Sequence, residues 1–180
     1  MKDYILEKFF YWAKMIILAC VLVFIIRGFL FIPMKVDGNS METTLKPNDQ
    51  LVYEKISKIK RFDVIIFENE DGSIYIKRVI GLPGEHIKYE DDELYVNGNK
   101  VEEDFLGQAK IKRDSNQYTT NFDLKEMTNQ ETLSDDGYFV LGDNRRLSKD
   151  SRSFGEIKAA RIIGKARFIY YPLKNFGRIK

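Results

Sequence analysis

At 180 residues and 21.1 kDa the chain has room for one ordinary domain, and 44% hydrophobic against 31% charged residues is a globular balance that excludes collagen, coiled-coil and low-complexity architectures. The formal charge of +2 sits in the first 32 residues, which hold four of the 29 basic and two of the 27 acidic side chains; the balanced remainder leaves no nucleic-acid footprint. A single cysteine, Cys20, excludes an internal disulfide framework and multi-cysteine metal centres, and a single histidine, His86, weakens catalytic triads and histidine-rich metal sites alike.

The first predicted element is apolar. Between residues 9 and 32 only Lys14, Arg27 and Gly28 interrupt the run. Residues 15–32 as a helix would span about 27 Å at about 1.5 Å per residue, nearly the thickness of a bilayer's hydrocarbon. Arg27 lies toward the C-terminal end, where a long side chain reaches the headgroups. A buried core helix would show a polar face, and 15–26 shows none. A cleavable leader needs a shorter apolar core and a small-x-small site, and the only such pair close behind is Gly38-Asn39-Ser40. The expectation is a retained single transmembrane helix at 15–32 with a cytoplasmic tail at 1–14. Lys2, Lys8 and Lys14 place that tail inside and residues 33–180 outside.

Pro33 is expected to end the helix. Beyond it come short runs rich in β-branched and aromatic residues at 51–54, 64–67, 74–80, 87–89, 94–96, 138–141 and 162–171. Asn-Asp, Asp-Gly, Pro-Gly and Asn-Gly turn signals bound them, so the part beyond the helix is predicted to be mostly β. Residues 87–101 read as a meander with Asp91-Asp92 and Asn97-Gly98 as its turns. The stretch 102–136 is polar and weakly periodic, which predicts a surface excursion with some strand content rather than core.

Three segments carry side chains capable of chemistry. Ser40 lies in Gly38-Asn39-Ser40-Met41-Glu42, just past the apolar run; taken alone it reads as one of the many serines found in glycine turns. Lys77 lies in a strand whose alternation puts Tyr75, Lys77 and Val79 on one face and Ile76, Arg78 and Ile80 on the other; taken alone it fits an edge-strand lysine facing solvent. Gly142-Asp143-Asn144-Arg145 and Ser148-Lys149-Asp150-Ser151-Arg152 follow the apolar run 138–141 and read locally as a salt-bridged polar turn. His86, at the start of the meander, is expected to face solvent.

Together, Ser40-Met41-Glu42, Arg61 through Phe67, Lys77 through Glu85 and the 142–152 segment resemble, in order and spacing, the type I signal peptidases. The likeness also takes in the apolar anchor, Leu94-Tyr95-Val96-Asn97-Gly98, and Ile162-Ile163-Gly164-Lys165 with Tyr171-Pro172-Leu173. It implies a mostly β protein: one transmembrane helix, then an antiparallel β catalytic core with a smaller β insertion at about 86–136. It implies a serine-lysine endopeptidase at the outer face of the cytoplasmic membrane that removes signal peptides from exported preproteins after a small-x-small pair. Ser40 matches the family nucleophile and Lys77 its general base. Ser148 matches the hydroxyl that orients the lysine, and Asp150 and Arg152 a structural charge pair. Met34, Val36, Leu45, Tyr75 and Ile76 match the substrate-pocket lining. No metal and no cofactor is expected. The implied partners are signal peptides and membrane lipid, with association with the secretion translocon left open and no nucleic acid.

The chemistry stands beside the resemblance. A lysine of ordinary pKa, about 10.4, is nearly all ammonium at pH 7, so it must be desolvated before it can take a serine proton. Apolar neighbours such as Ile76 and Val79 could do this. The sequence departs from the family pattern at Thr43, where proline is usual, at Gly38, where some members carry a serine, and at Arg146-Leu147 before Ser148. The competing readings are a membrane-tethered accessory factor that binds export substrates without cutting them, a self-cleaving repressor, and a Ser-His hydrolase using His86.

Overall fold

The computed structural model describes residues 2–29, 32–107 and 117–179. Helix α1 runs Lys2–Phe29, and the described side chains along it are exposed on all sides, with Ile16, Leu18, Leu22 and Phe24 each more than half exposed. The expected transmembrane helix at 15–32 is corrected. The helix starts in the charged tail and is described to Phe29, residues 30 and 31 lie outside the described residues, and Ile32 already belongs to strand β1 (Ile32–Lys35), where it pairs with Tyr53. Among the described residues no helix is long and apolar enough to cross a membrane. Pro33 thus sits in an edge strand, the place in a sheet where a missing N–H is tolerated.

Beyond α1 the chain is an antiparallel β structure. The larger sheet contains β1, β2 (Gln50–Glu54), β3 (Val64–Glu68), β4 (Ile74–Gly81), β9 (Gly137–Leu141), β10 (Ile157–Lys158), β11 (Ile162–Tyr171) and β12 (Gly177–Arg178). Its spatial order is β1-β2-β11-β3-β4-β9-β10, with β12 on β11. The unbroken apolar run of β3 follows from burial on both faces. Val64 and Ile66 pack with Val36, Met41, Leu45 and Leu51, whereas Ile65 and Phe67 pack with Val79, Val140 and Ile157. Lys77 lies in β4, paired with Ile65 of β3 but short of the stretch that β9 covers, and it is 2% exposed; the expectation that it faces solvent therefore fails.

The smaller sheet, β7-β6-β5-β8, is built from β5 (Ile87–Glu90), β6 (Glu93–Val96), β7 (Asn99–Val101) and β8 (Phe122–Asp123). Both hairpin turns use left-handed residue pairs, Asp91-Asp92 (φ 50° and 65°) and Asn97-Gly98 (φ 50° and 78°), whose twist matches that of the flanking strands. Ile87, Tyr89, Leu94 and Val96 pack with Ile80, Phe139 and Leu141 of the larger sheet, so one apolar cluster joins the two.

The surface reading of 102–136 needs correcting. Leu106, Tyr118, Thr119, Leu124 and Leu133 are buried, and β8 leads into a short helix α2 (Leu124–Thr128) that the Asp123 carboxylate caps by accepting from the Lys125 N–H. Isolated apolar residues in a polar stretch give no period, yet Leu124 and Leu133 drop into the cluster between the sheets. Residues 108–116 of this stretch lie outside the described residues.

Candidate active site

The Ser40 turn hangs between β1 and β2. Gly38 takes φ +81°, a conformation that a Cβ would strain, and the turn is closed by Glu42 N–H donating to Asn39 O (3.1 Å) and Leu45 N–H to Met41 O (2.7 Å). A second clamp comes from far along the chain, where Asn144 N–H donates to Ser40 O at 3.0 Å and the Asn144 side chain to Asn39 O at 3.2 Å. Lys77 reaches the same place from β4, its Nζ 2.6 Å from Ser40 Oγ. Strand β4 pairs with β9 only from Arg78 onward, which leaves the β9 side of residues 74–77 as an open strand edge beside the serine. That edge borders a cleft of about 430 Å³ lined by Met34, Val36, Ser40, Tyr75, Ile76 and Lys77, among others.

Burial lowers the Lys77 pKa from 10.5 to about 8, and the carboxylates of Asp150 and Asp143 only partly offset it. At pH 7 roughly a tenth of the lysine is then free base, against about one part in three thousand for an unperturbed side chain. A neutral amine 2.6 Å from a hydroxyl is the geometry of general-base activation, with the hydrogen bond reversed so that Ser40 Oγ donates.

Asp150 and Arg152 form the expected pair. Arg152 Nε donates to Asp150 Oδ1 and Nη2 to Oδ2, both at 2.8 Å, and Asp150 also accepts from Gly142 N–H at 3.1 Å while capping helix α3 (Ser151–Phe154). The Arg152 guanidinium further donates to Arg145 O at 2.7 Å, so the whole 142–152 loop is folded onto itself. Ser148 is in the loop, but its buried hydroxyl has no hydrogen-bond partner among the described residues, Lys77 included. Of the five expected pocket residues, Met34, Val36, Tyr75 and Ile76 line the cleft; Leu45 is fully buried behind it in the core with Val36 and Met41. His86 is elsewhere, its Nε2 2.9 Å from Asp123 Oδ1 beside the smaller sheet.

The sequence did not point to the polar frame behind Ser40 and Lys77. Arg78 and Asp143 are both fully buried and joined by two hydrogen bonds (Nε to Oδ1, 2.8 Å; Nη2 to Oδ2, 2.7 Å), and Thr44 donates to Asp143 Oδ2 at 2.5 Å. This ties the Ser40 turn, the Lys77 strand and the 142–152 loop to one point. Arg145 is likewise buried, against Glu103 (2.5 Å) and the Tyr89 hydroxyl (2.6 Å), so the segment keeps one local salt bridge, Asp150–Arg152, while Asp143 and Arg145 find their partners far along the chain. The available signal was the position of Arg78 between Ile76 and Ile80 on one face of a strand, where a guanidinium needs a distant carboxylate.

Gly142 lies where these pieces converge. A Cβ there would fall 2.1 Å from Ser148 Oγ and 2.5 Å from Ser40 O. Gly142→Ala is therefore expected to cost about 1–3 kcal/mol by overpacking and, by moving the Ser40 backbone, to lower kcat more than it raises KM. Thermal unfolding together with steady-state kinetics checks both halves; an alanine variant with parental kcat would show that the contact does not set the serine's position.

A model of the signal peptidase family (peptidase S26) matches residues 9–171. The chain belongs to the signal peptidase family. Signal peptidase I of Bacillus caldolyticus is 44% identical over 155 residues, covering 84% of this chain and 85% of that one. The Bacillus amyloliquefaciens signal peptidase I is 40% identical over 174 residues, 94% and 91% of the two chains. Among solved structures, a signal peptidase I from Enterococcus faecalis V583 superposes with a TM-score of 0.59 at 46% identity, covering 62% of this chain and 98% of that one. Family membership makes this chain a hydrolase, specifically a serine protease.

Proposed function

We propose that this chain removes signal peptides from exported preproteins, cutting after a small-x-small pair, with Ser40 as nucleophile and Lys77 as general base. The observation that supports the assignment is the 2.6 Å contact between a buried lysine of depressed pKa and the Ser40 hydroxyl, in a cleft beside an open strand edge. The substrate adds as an extended strand along residues 74–77, its small side chains directed at Met34, Val36, Tyr75 and Ile76, with Leu45 setting the floor from behind. Neutral Lys77 takes the Ser40 proton as Oγ attacks the scissile carbonyl, and the resulting ammonium protonates the leaving amine. Water, deprotonated by Lys77, then hydrolyses the acyl ester and regenerates Ser40. The Ser40 N–H is placed to donate to the developing oxyanion. Ser148 orients the lysine once substrate closes the cleft, a role for which its unpartnered hydroxyl is available, and Asp150 with Arg152 holds the loop that carries it.

Cleavage of a preprotein by the detergent-solubilised protein tests this reading. The base works only when unprotonated, so kcat/KM is expected to rise about tenfold per pH unit below the Lys77 pKa of about 8 and to level off above it. His86→Ala should leave that limb unchanged; if the limb disappears together with the rate, the base is the histidine.

Residues 33–180 act as the catalytic part, held at the outer face of the cytoplasmic membrane by α1. The support is the collar of exposed Ile, Leu, Val and Phe side chains around that helix, which no other described element covers. The protein is expected to stay with the membrane pellet after alkaline carbonate extraction of cells; release into the supernatant would remove the attachment.

A further inference from the structure

A second cleft, of about 400 Å³, lies on the far side of β3 from β4, between the segment leading into β3, β11 and β12. Its lining includes Lys58, Lys60, Lys165, Arg167 and Arg178 around a floor containing Ala166 and Ile179. Two of these cations are spoken for: Lys165 pairs with Asp63 at 2.5 Å and Arg167 with Glu54 at 2.5 Å, and these pairs hold the walls together. Among the described residues no carboxylate pairs with Lys58, Lys60 or Arg178, so three positive side chains surround one opening without a counter-charge.

The register of the sheet places this opening. Ile32, the first described residue after α1, is opposite Tyr53; Glu54, next along β2, is opposite Lys165, which is in turn opposite Ile65. The cleft is therefore at the end of the sheet where the chain arrives from the apolar helix. The loop that follows β2, Lys55-Ile56-Ser57-Lys58-Ile59-Lys60, places three lysines in six residues around Ile56, which is 67% exposed at the tip. Cations around an exposed apolar side chain suit a lipid surface, the ammonium groups taking phosphates while the isoleucine enters the acyl boundary. Arg178 supplies the planar fork that a phosphate oxygen pair accepts.

We propose that this cleft binds the phosphate of an anionic phospholipid headgroup and so seats the catalytic domain on the bilayer beside α1, presenting the Ser40 cleft at a fixed height. The proposal rests on the membrane attachment argued above. Seating is electrostatic, so each unpaired lysine is worth roughly fivefold in the ratio of seated to unseated protein, and high salt weakens it.

The test uses the full chain in nanodiscs of phosphatidylcholine alone and of phosphatidylcholine with phosphatidylglycerol, with backbone hydrogen exchange as readout. Amides of 55–60 are expected to exchange several-fold more slowly in the phosphatidylglycerol discs, and this difference should vanish in 0.5 M salt and in the double variant Lys58→Glu, Lys60→Glu. That variant should cut a preprotein in neutral detergent at the parental rate, since neither residue touches the Ser40 cleft. Equal exchange in both discs overturns the proposal. Equal protection by inorganic phosphate in detergent overturns it as a lipid site and leaves a site for the free anion. Failure of the parent to cut in detergent, or to enter phosphatidylcholine discs at all, strikes the function or the attachment instead.

Discussion

If Ser40 and Lys77 act as proposed, Ser40→Ala and Lys77→Met should each reduce preprotein cleavage by about 10³- to 10⁶-fold, because each then removes one half of a nucleophile that acts as a unit. The double variant should be no slower than either single one. The lysine substitution carries a second, opposite effect. Its folded-state pKa of about 8 lies below the ordinary 10.5, so the charged form is penalised in the native protein by about 3 kcal/mol. That penalty is fully present well below pH 8, where both folded and unfolded lysine are protonated, fades as pH rises through the interval from 8 to 10.5, and is gone above 10.5, where both are neutral. Lys77→Met is therefore expected to be inactive and yet more stable than the parent at pH 7, by up to about 3 kcal/mol, with the gain shrinking at alkaline pH. Urea unfolding at two pH values reads this directly. A methionine variant that cleaves at the parental rate sinks the dyad; one that is inactive but less stable at pH 7 sinks the desolvation argument.

Asp143→Ala should destabilise the fold by about 3–5 kcal/mol, a large part of a domain's usual 5–15 kcal/mol, because it strands the fully buried Arg78 guanidinium. Phe62 O and Thr44 Oγ1 remain as acceptors at 2.8 Å for Arg78, but neither supplies a negative charge. Replacing both members by apolar residues, Arg78→Met with Asp143→Leu, is expected to recover most of the lost stability, since the desolvation cost disappears with the charges. Activity should stay low in the double variant, whose Ser40 turn has lost the Thr44 anchor. The measurement is the urea midpoint of the three proteins; a loss below about 1 kcal/mol for Asp143→Ala would show the pair to be dispensable.

What the sequence made legible was local. Period-two alternation and left-handed turn pairs located the meander at Ile87, Leu94 and Asn99, because a hairpin's register is set by residues that are near neighbours. The open question at Lys77 was depth. One strand cannot say what covers its face, and only the packed fold shows that Lys77, paired with β3 and lying just short of where β9 begins to pair, is 2% exposed. Asp143 and Arg145 read as members of a polar turn for the same reason: their partners, Arg78 and Glu103, are 65 and 42 residues away. The excursion after Val101 misled in the opposite sense, since Leu124 and Leu133 are single apolar residues whose burial depends on a second sheet. At the N-terminus, hydropathy marked the apolar run, but not the strand pairing that takes Ile32 out of the helix.

Strand β2 has β1 on one side and β11 on the other, and its Leu51 is paired with Ile169, more than a hundred positions further on. A two-stranded ribbon has little stability by itself, so the segment that bears Ser40 gains a firm support only when the last long strand has docked. The chain thus has a high contact order at the very place proposed for its chemistry, and such pairings form late. During synthesis the early portion would emerge with its serine and lysine already made but not yet apposed. A protease assembled in that order is silent until it is whole, so the nascent polypeptide has no competent centre with which to attack itself or its neighbours.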